Sequence, residues 1–357
     1  MYELERGRHK SRSVYLQIAD GVSGMIAAEG LREGDRLPSM EELARRFGVN
    51  KLTVIKALRE LQRHGKVYSV PVRGTFVGKV PATVDTVGVV SLVMVPGATG
   101  YYHLTLLDAL REALAASRTS LLHLPVRGLN EGEILAIARD CGAQAFLIVG
   151  WCPDELLAQF SKEFPGRVGL LDYSATGVAL DAAVQDNAAG MTAAMAALCP
   201  PGKAARVAVI AGPADQQVSV ERYQGVEAAA KANPRLSIVR AEGSFSFASG
   251  QAAMEQLLER KEKFDGVVCM NDEMALGAMA AARGHGLEAP GDFWLLGYDD
   301  IPAAQAVGLS TVAAPVADMG RAAVEQLQRR LAAPGAPCLR QSFTPWPVWR
   351  ATAPAPR

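Results

Sequence analysis

At 357 residues the chain is longer than one hydrophobic core ordinarily supports, and about 150 residues per domain implies two or three compact units. With 49% hydrophobic residues it falls outside the disordered class, and it has no run of about 18 uncharged apolar residues to cross a membrane. The net charge is zero, yet residues 1–80 hold 15 Lys/Arg against 9 Asp/Glu and the remainder holds 22 against 28, a +6 module on a −6 body that fits either phosphate contacts or ordinary surface scatter.

The opening MYELERGRHKSRS is polar and lacks the apolar centre of a signal peptide, so a cytoplasmic location is expected. Residues 14–26 set Ile18, Val22, Met25 and Ile26 on one helical face, and LREGDRLPS after them is punctuated by Gly and Pro as a turn. Ser39 is placed to cap a second helix, with Glu42 completing a capping box and Leu43 and Phe47 forming the apolar stripe before Gly48. Asn50 is placed to cap a third, with Val54, Leu58 and Leu61 inward and His64-Gly65 at its end. KVYSVPV and TFVGKV then read as two strands around a tight Arg73-Gly74 turn, a β-ribbon wing.

The stretch LPSMEELARRFGVNKLTVIKALRELQRHGKVYSVPVRGTFVG resembles the GntR-type winged helix over its full length. The resemblance implies that residues 1–80 bind DNA, with the third helix entering the major groove. Lys51, Leu52, Thr53, Ile55 and Lys56 lie at the exposed start or outer side of that helix. Lys there serves guanine or phosphate, and Leu or Ile a thymine methyl. Ser39, Asn50, Arg73 and Gly74 complete the candidate DNA-contact set. The GntR-type pattern usually carries Arg where this chain has Glu41, Lys51 and Ile55, and only Lys51 keeps the charge. An altered base preference is the expectation.

After Pro81 apolar strand runs alternate with amphipathic helices: VGVVSLVMV, a helix from Thr105, SLLHLPV, a helix from Glu131, AFLIVG, a helix from Asp154 and RVGLLD. The alternation repeats through AVQD, helix 188–198, RVAVIAG, helix 219–232, LSIVRAEG, helix 249–260, DGVVCMND, helix 273–285 and FWLLGYD. Such a series predicts parallel sheets. The fold class expected is therefore an α/β body of two doubly wound lobes, residues 87–357, joined by a linker at 81–86 to a small α+β winged helix. The chain is expected to cross between lobes near 182–188 and 299–302.

Through the body from about residue 86 run VQDNAAG at 184–190, AVIAGP, SVERYQGVEAA, EGSFSFASG, MNDEMALGAMAAARGHGLEAPGDFWLLGYDDIP, LSTVAAP and PVWRAT. On these motifs the body resembles the effector domain of LacI-type regulators and the related periplasmic sugar receptors. Ligands of open α/β sheets bind beyond the carboxyl ends of the strands. Asp172 ends RVGLLD, Asn271 ends GVVCMN, Asp299 ends WLLGYD and Arg222 lies in the first turn of the helix after AVIAGP. The resemblance implies that these four bind sugar hydroxyls and that a ring packs on Phe245, while Tyr101, Tyr102 and Trp151 are candidates from the first lobe. Carboxylates beside an Arg suit polyols, and equally an amine or a purine. Asp272 is expected to cap the helix starting DEMALG instead of touching ligand, and Asp300 to tie the hinge.

Cys141, Cys152, Cys199, Cys269 and Cys338 are odd in number and widely spaced, without a Cys-x-x-Cys pair, so reduced thiols and no metal site are expected. No Gly-x-Gly-x-x-Gly, Walker, His-Glu-x-x-His or Gly-x-Ser-x-Gly motif is present, so neither an enzyme nor a cofactor is expected. A solute receptor for transport would not need residues 10–80. The partners expected are an operator duplex with two half-sites, a small carbohydrate effector and a second copy of the chain. Stripes Leu106, Leu110, Leu114 and Val316, Met319, Ala323, Leu327 suit core packing or that dimer contact.

Overall fold

A computed structural model describes residues 13–70, 74–78, 86–91, 100–115, 119–126, 128–150, 152–261 and 263–353. The chain divides into two compact units, Met1–Val87 with Arg118–Leu122 and Gly132–Gln144, and Gly88–Ser117 with His123–Glu131 and Ala145–Arg357.

In the first unit three helices precede a hairpin: α1 (Val14–Ala28), α2 (Met40–Phe47), α3 (Lys51–Arg63), β1 (Val67–Val70) and β2 (Gly74–Val77). Ile18, Val22 and Met25 recur at helical spacing and close a core with Leu37, Leu43, Phe47, Val54, Leu58 and Leu61. Ser39 Oγ accepts the Glu42 N–H at 3.2 Å, but the Glu42 carboxylate does not complete the expected box; it meets Arg46 Nη2 at 3.3 Å, one helical turn on. Gly48, with φ of 63°, ends α2 in the left-handed conformation that a residue without Cβ takes cheaply. Asn50 Oδ1 accepts both the N–H and the hydroxyl of Thr53, at 2.8 and 2.9 Å, and so starts α3. The hairpin gains a third extended segment, because Leu37 N–H donates to Thr75 O at 2.7 Å and Val77 N–H to Asp35 O at 2.8 Å. Arg73, at the expected wing tip, lies outside the described residues.

Beyond the winged helix the chain alternates β3 (Thr86–Ser91), α4 (Tyr101–Ala115), β4 (Ser120–Pro125), α5 (Glu131–Asp140), β5 (Ala145–Val149), α6 (Asp154–Glu163), β6 (Val168–Leu171), β7 (Asp181–Gln185) and α7 (Asn187–Leu198). The alternation continues with β8 (Ala205–Ala211), α8 (Gln217–Ala232), β9 (Leu236–Glu242), α9 (Phe247–Glu259), β10 (Gly266–Cys269), α10 (Asp272–Gly284) and β11 (Trp294–Leu296). It closes with α11 (Pro302–Ala306), β12 (Thr311–Ala313), α12 (Val316–Ala332), β13 (Arg340–Phe343) and β14 (Trp346–Val348). Uniformly buried runs such as AFLIV and VGLL mark strands covered on both faces, which a parallel sheet requires. The sheet orders are β13-β7-β6-β5-β3-β4 and β11-β10-β8-β9, and in each the order reverses beside the first strand of the lobe. That reversal leaves a crevice beyond the strand ends. Among the described residues no helix is long and apolar enough to cross a membrane.

Two expectations change. The first-lobe helix begins at Tyr101, four residues before Thr105. The chain also crosses between lobes a third time, because β13 extends the first sheet beside β7 whereas β14 pairs with β12. The stripes weighed for dimer contact belong to the core, with Leu106, Leu110, Leu114, Met319, Ala323 and Leu327 all at most 2% exposed.

Glycines bring α9 and α10 together. A Cβ on Gly250 would lie 2.1 Å from Met274 O, and one on Gly277 2.0 Å from Phe247 O. Both obstacles are backbone, which cannot swing aside as a side chain does. Gly277→Ala is therefore expected to destabilise by at least the ~1–3 kcal/mol typical of overpacking, read as a lower urea midpoint. Gly284→Ala, on the same helix with open space around it, is the control.

Candidate functional site

The strand ends of both lobes frame one cavity of about 290 Å³, at the small end of the ~300–1,000 Å³ found for small-molecule sites. Asp172 follows β6, Gln185 ends β7, Arg222 lies in the second turn of α8, Asn271 follows β10 and Asp299 follows β11, and all five line it together with Phe245. Asp172, Phe245 and Asp299 have φ of 63°, 60° and 111°. Left-handed backbone at non-glycine residues costs about 1–3 kcal/mol each, and such strain gathers at ligand clamps.

Arg222 is the hub. It is 2% exposed, donates from Nη2 to Asp299 Oδ1 at 2.8 Å, from Nε to Asn187 Oδ1 at 3.0 Å and from Nη1 to Met270 O, and its guanidinium sits 3.7 Å from the centre of the Tyr298 ring. A planar fork with five donors can hold three acceptors on three elements at once. Asn271 caps α10 through Met274 N–H at 2.9 Å and donates to Phe245 O at 3.0 Å, fixing the loop that carries the aromatic. Asp172 Oδ1 accepts from Gln185 Nε2 at 2.9 Å, and the same amide nitrogen reaches the Tyr102 hydroxyl.

Burial sets the acidities. It pushes the Asp299 carboxyl up to about 7 against the pull of Arg222, and the Asp172 carboxyl up to about 6 against Gln185 and Arg222. It also holds the His103 ring neutral, with its pKa lowered to about 4. A carboxyl whose folded value is raised binds its proton more tightly folded than unfolded. Its contribution to stability therefore falls as pH rises from the unfolded value near ~3.9 to the folded one, and stays lost above it. Asp172→Asn is accordingly expected to melt higher than the parent chain at pH 8, with the gap closing below pH ~5. An equal melting temperature at pH 8 contradicts it.

The remaining sequence candidates separate. Tyr101 is 56% exposed and outside the cavity wall, although its N–H donates to Glu273 Oε1 at 3.2 Å; Tyr102, 8% exposed, faces the cavity instead. Successive helical residues point about 100° apart, and here Tyr101 turns to solvent while Tyr102 and His103 line the cavity. Trp151 lies outside the described residues. Asn271, not Asp272, caps α10; Asp272 is fully buried and accepts from Ile301 N–H at 2.9 Å and Thr311 Oγ1 at 2.6 Å. Asp300 pairs with Arg350 at 2.8 Å. Sequence reasoning passed over Gln185 and Asn187, both within VQDNAAG, and Glu221 and Glu273. The strand-end rule that selected Asp172 also selects Gln185.

On the winged helix, Lys51, Leu52 and Lys56 are exposed, Leu52 by 70%, while Thr53 and Ile55 are half-buried. Lys51 Nζ forms an ion pair with Glu41. Ser39 and Asn50 spend a side-chain oxygen each on capping, and Gly74 enters β2 with φ of 112°.

The bacterial regulatory protein family called gntR matches residues 14–77, and the periplasmic binding protein-like domain matches residues 202–353. The chain is 31% identical over 172 residues to the ribose operon repressor of Haemophilus influenzae, covering 46% of this chain and 51% of that one. It is 36% identical over 126 residues to the transcriptional repressor CytR of Escherichia coli K12, covering 33% and 36%. The chain thus spans about half, or a third, of the curated relatives it matches. A LacI transcriptional regulator from Rhodococcus superposes with a TM-score of 0.65 at 24% identity, covering 76% of this chain and 99% of that one. The chain therefore joins a gntR-type helix-turn-helix segment to an α/β body of the LacI and periplasmic-binding-protein fold.

Proposed function

We propose that this chain is an effector-responsive DNA-binding transcription regulator, a repressor that a small sugar-like ligand releases from its operator. The carrying observation is the pairing, in one chain, of a capped helix-turn-helix that exposes Leu52 by 70% with a cavity whose wall carries polar side chains around a buried arginine. Exposed at the head of α3, Leu52 suits a thymine methyl. Residues 1–80 supply DNA contacts, 81–86 the link, and 87–357 the effector site and the homodimer contact that two half-sites on one duplex face require. The relative named a ribose operon repressor supports a sugar-like ligand and repression. Binding is the use proposed for the cavity, in line with the relatives named as repressors. A cytoplasmic location follows from the DNA partner.

The test is retention of a duplex selected from a random pool by the full chain, followed by addition of pentoses, hexoses, amino sugars and purines. Release by a factor of about 5–150 is the expected coupling. Failure to retain any sequence above random DNA sinks the proposal.

A further inference from the structure

Carboxylates outnumber cations on the cavity wall. Asp172, Asp215, Glu221, Glu273 and Asp299 line it against Arg222 and Arg340, with the His103 ring held neutral by burial. Arg222 is already committed to Asp299, Asn187 and Met270 O. Glu221 takes donors from Asn187 at 2.9 Å and Gln217 at 2.7 Å. Asp172 forms no salt bridge among the described residues; Gln185 Nε2 donates to it at 2.9 Å and Arg222 acts on it only through space, and a buried carboxylate without an ion pair is costly.

A second, independent observation lies beside it. Gln185 is 4% exposed, lines the cavity, and its Oε1 is buried with no hydrogen-bond partner. The amide cannot relieve this by flipping, because its Nε2 serves Asp172 Oδ1, and a flip would set a carbonyl oxygen against an acceptor-only carboxylate. A buried acceptor left unmade is destabilising unless an incoming group donates to it.

We propose that the ligand of this cavity is an amino-substituted polyol whose ammonium is seated between the Asp172 carboxylate and Gln185 Oε1. The inference rests on reading the cavity as the effector site. An ammonium supplies the two things the wall lacks, a positive charge for Asp172 and N–H donors for Gln185. A neutral sugar or a purine can donate to Gln185 but leaves Asp172 uncompensated, and a sugar acid or phosphate adds repulsion. Asp172 is faced by Tyr102 from α4, Glu221 and Arg222 from α8, Gln185 from β7 and Asp299 after β11. Its carboxyl is raised to about 6, so amine affinity is expected to fall as pH drops through that value, whereas a neutral sugar keeps its affinity.

The experiment is calorimetric titration of the full chain with matched triples: D-glucosamine, D-glucose and D-gluconate; D-galactosamine, D-galactose and D-galactonate; and 2-amino-2-deoxy-D-ribose, D-ribose and D-ribonate. The amine is expected to bind at least tenfold tighter than its neutral partner, with the acid not binding. Gln185→Met is expected to lose most of that preference, and Asp172→Asn, which keeps the shape and removes the charge, to lose it as well. A neutral or acidic member binding as tightly as its amine, or no amine binding at all, overturns the proposal. If a neutral sugar binds and also releases DNA, the charge inference fails while the regulator reading stands. If an amine binds but no sequence-specific DNA is retained, the regulator reading fails while this one stands.

Discussion

Arg222→Ala is expected to abolish ligand binding and to lower folding stability by about 3–5 kcal/mol. The reason is what remains behind. Asp299 is 8% exposed, its only ion-pair partner among the described residues is Arg222 Nη2, and its backbone is already held at φ of 111°. Without the guanidinium, the carboxylate, Asn187 Oδ1 and Met270 O all lose a donor together, and the face of Tyr298 loses its cation. Burial already raises the Asp299 carboxyl to about 7 with Arg222 present, so removing Arg222 pushes it higher and the protein takes up a proton near neutrality. The double variant Arg222→Met with Asp299→Asn removes both charges, and is expected to recover much of the stability but none of the binding. Urea midpoints separate the single from the double, and calorimetry reads the ligand. A single variant as stable as the parent chain shows that the pair is not the buried ion pair described.

The architecture was legible because its signals are one-dimensional. Apolar runs such as AFLIV and VGLL, spaced by amphipathic helices, name a parallel sheet, and Ser39, Gly48, Asn50 and Gly65 mark helix ends through local hydrogen bonds and backbone angles. Strand ends then placed Asp172, Asn271 and Asp299 on one cavity wall. What stayed hidden depends on direction or on distant partners. The edge strand β13 reads RQSF, mostly exposed, and carries no apolar signal, so the third crossing was invisible. The choice between Tyr101 and Tyr102 turns on where α4 starts, a difference of four residues. Asp272 reads as a cap in the sequence, but its partners Thr311 and Ile301 lie 39 and 29 residues away, and the local rule gave way to Asn271. The Glu42 box failed for a similar reason, since Arg46 offered a stronger charged partner.

Lys51→Ala combined with Thr53→Ala is expected to lower affinity for the selected operator by two orders of magnitude or more, while ligand binding to the second body is unchanged. Each lost base contact costs about 1–3 kcal/mol, and 1.4 kcal/mol is tenfold. Lys51 is exposed and its ammonium has three donors, so it can keep Glu41 and still reach DNA. Thr53 is more constrained, because its hydroxyl hydrogen is committed to Asn50 Oδ1 at 2.9 Å. It therefore meets DNA as an acceptor, toward an exocyclic amine, or through its methyl group. The salt dependence assigns Lys51: if it meets a phosphate, Lys51→Ala weakens all sequences alike and flattens the salt slope by about one ion; if it meets guanine, affinity falls for the operator and discrimination at one position relaxes. Glu41→Gln refines this, since it frees Lys51 from its ion pair without touching the caps, and is expected to tighten binding to random DNA. Leu52→Ala leaves every charge in place and removes only the aliphatic surface that is 70% exposed. Its loss of discrimination at a thymine, with the salt slope unchanged, would place the head of α3 in the major groove; unaltered retention by this variant and by the double variant would take α3 out of it.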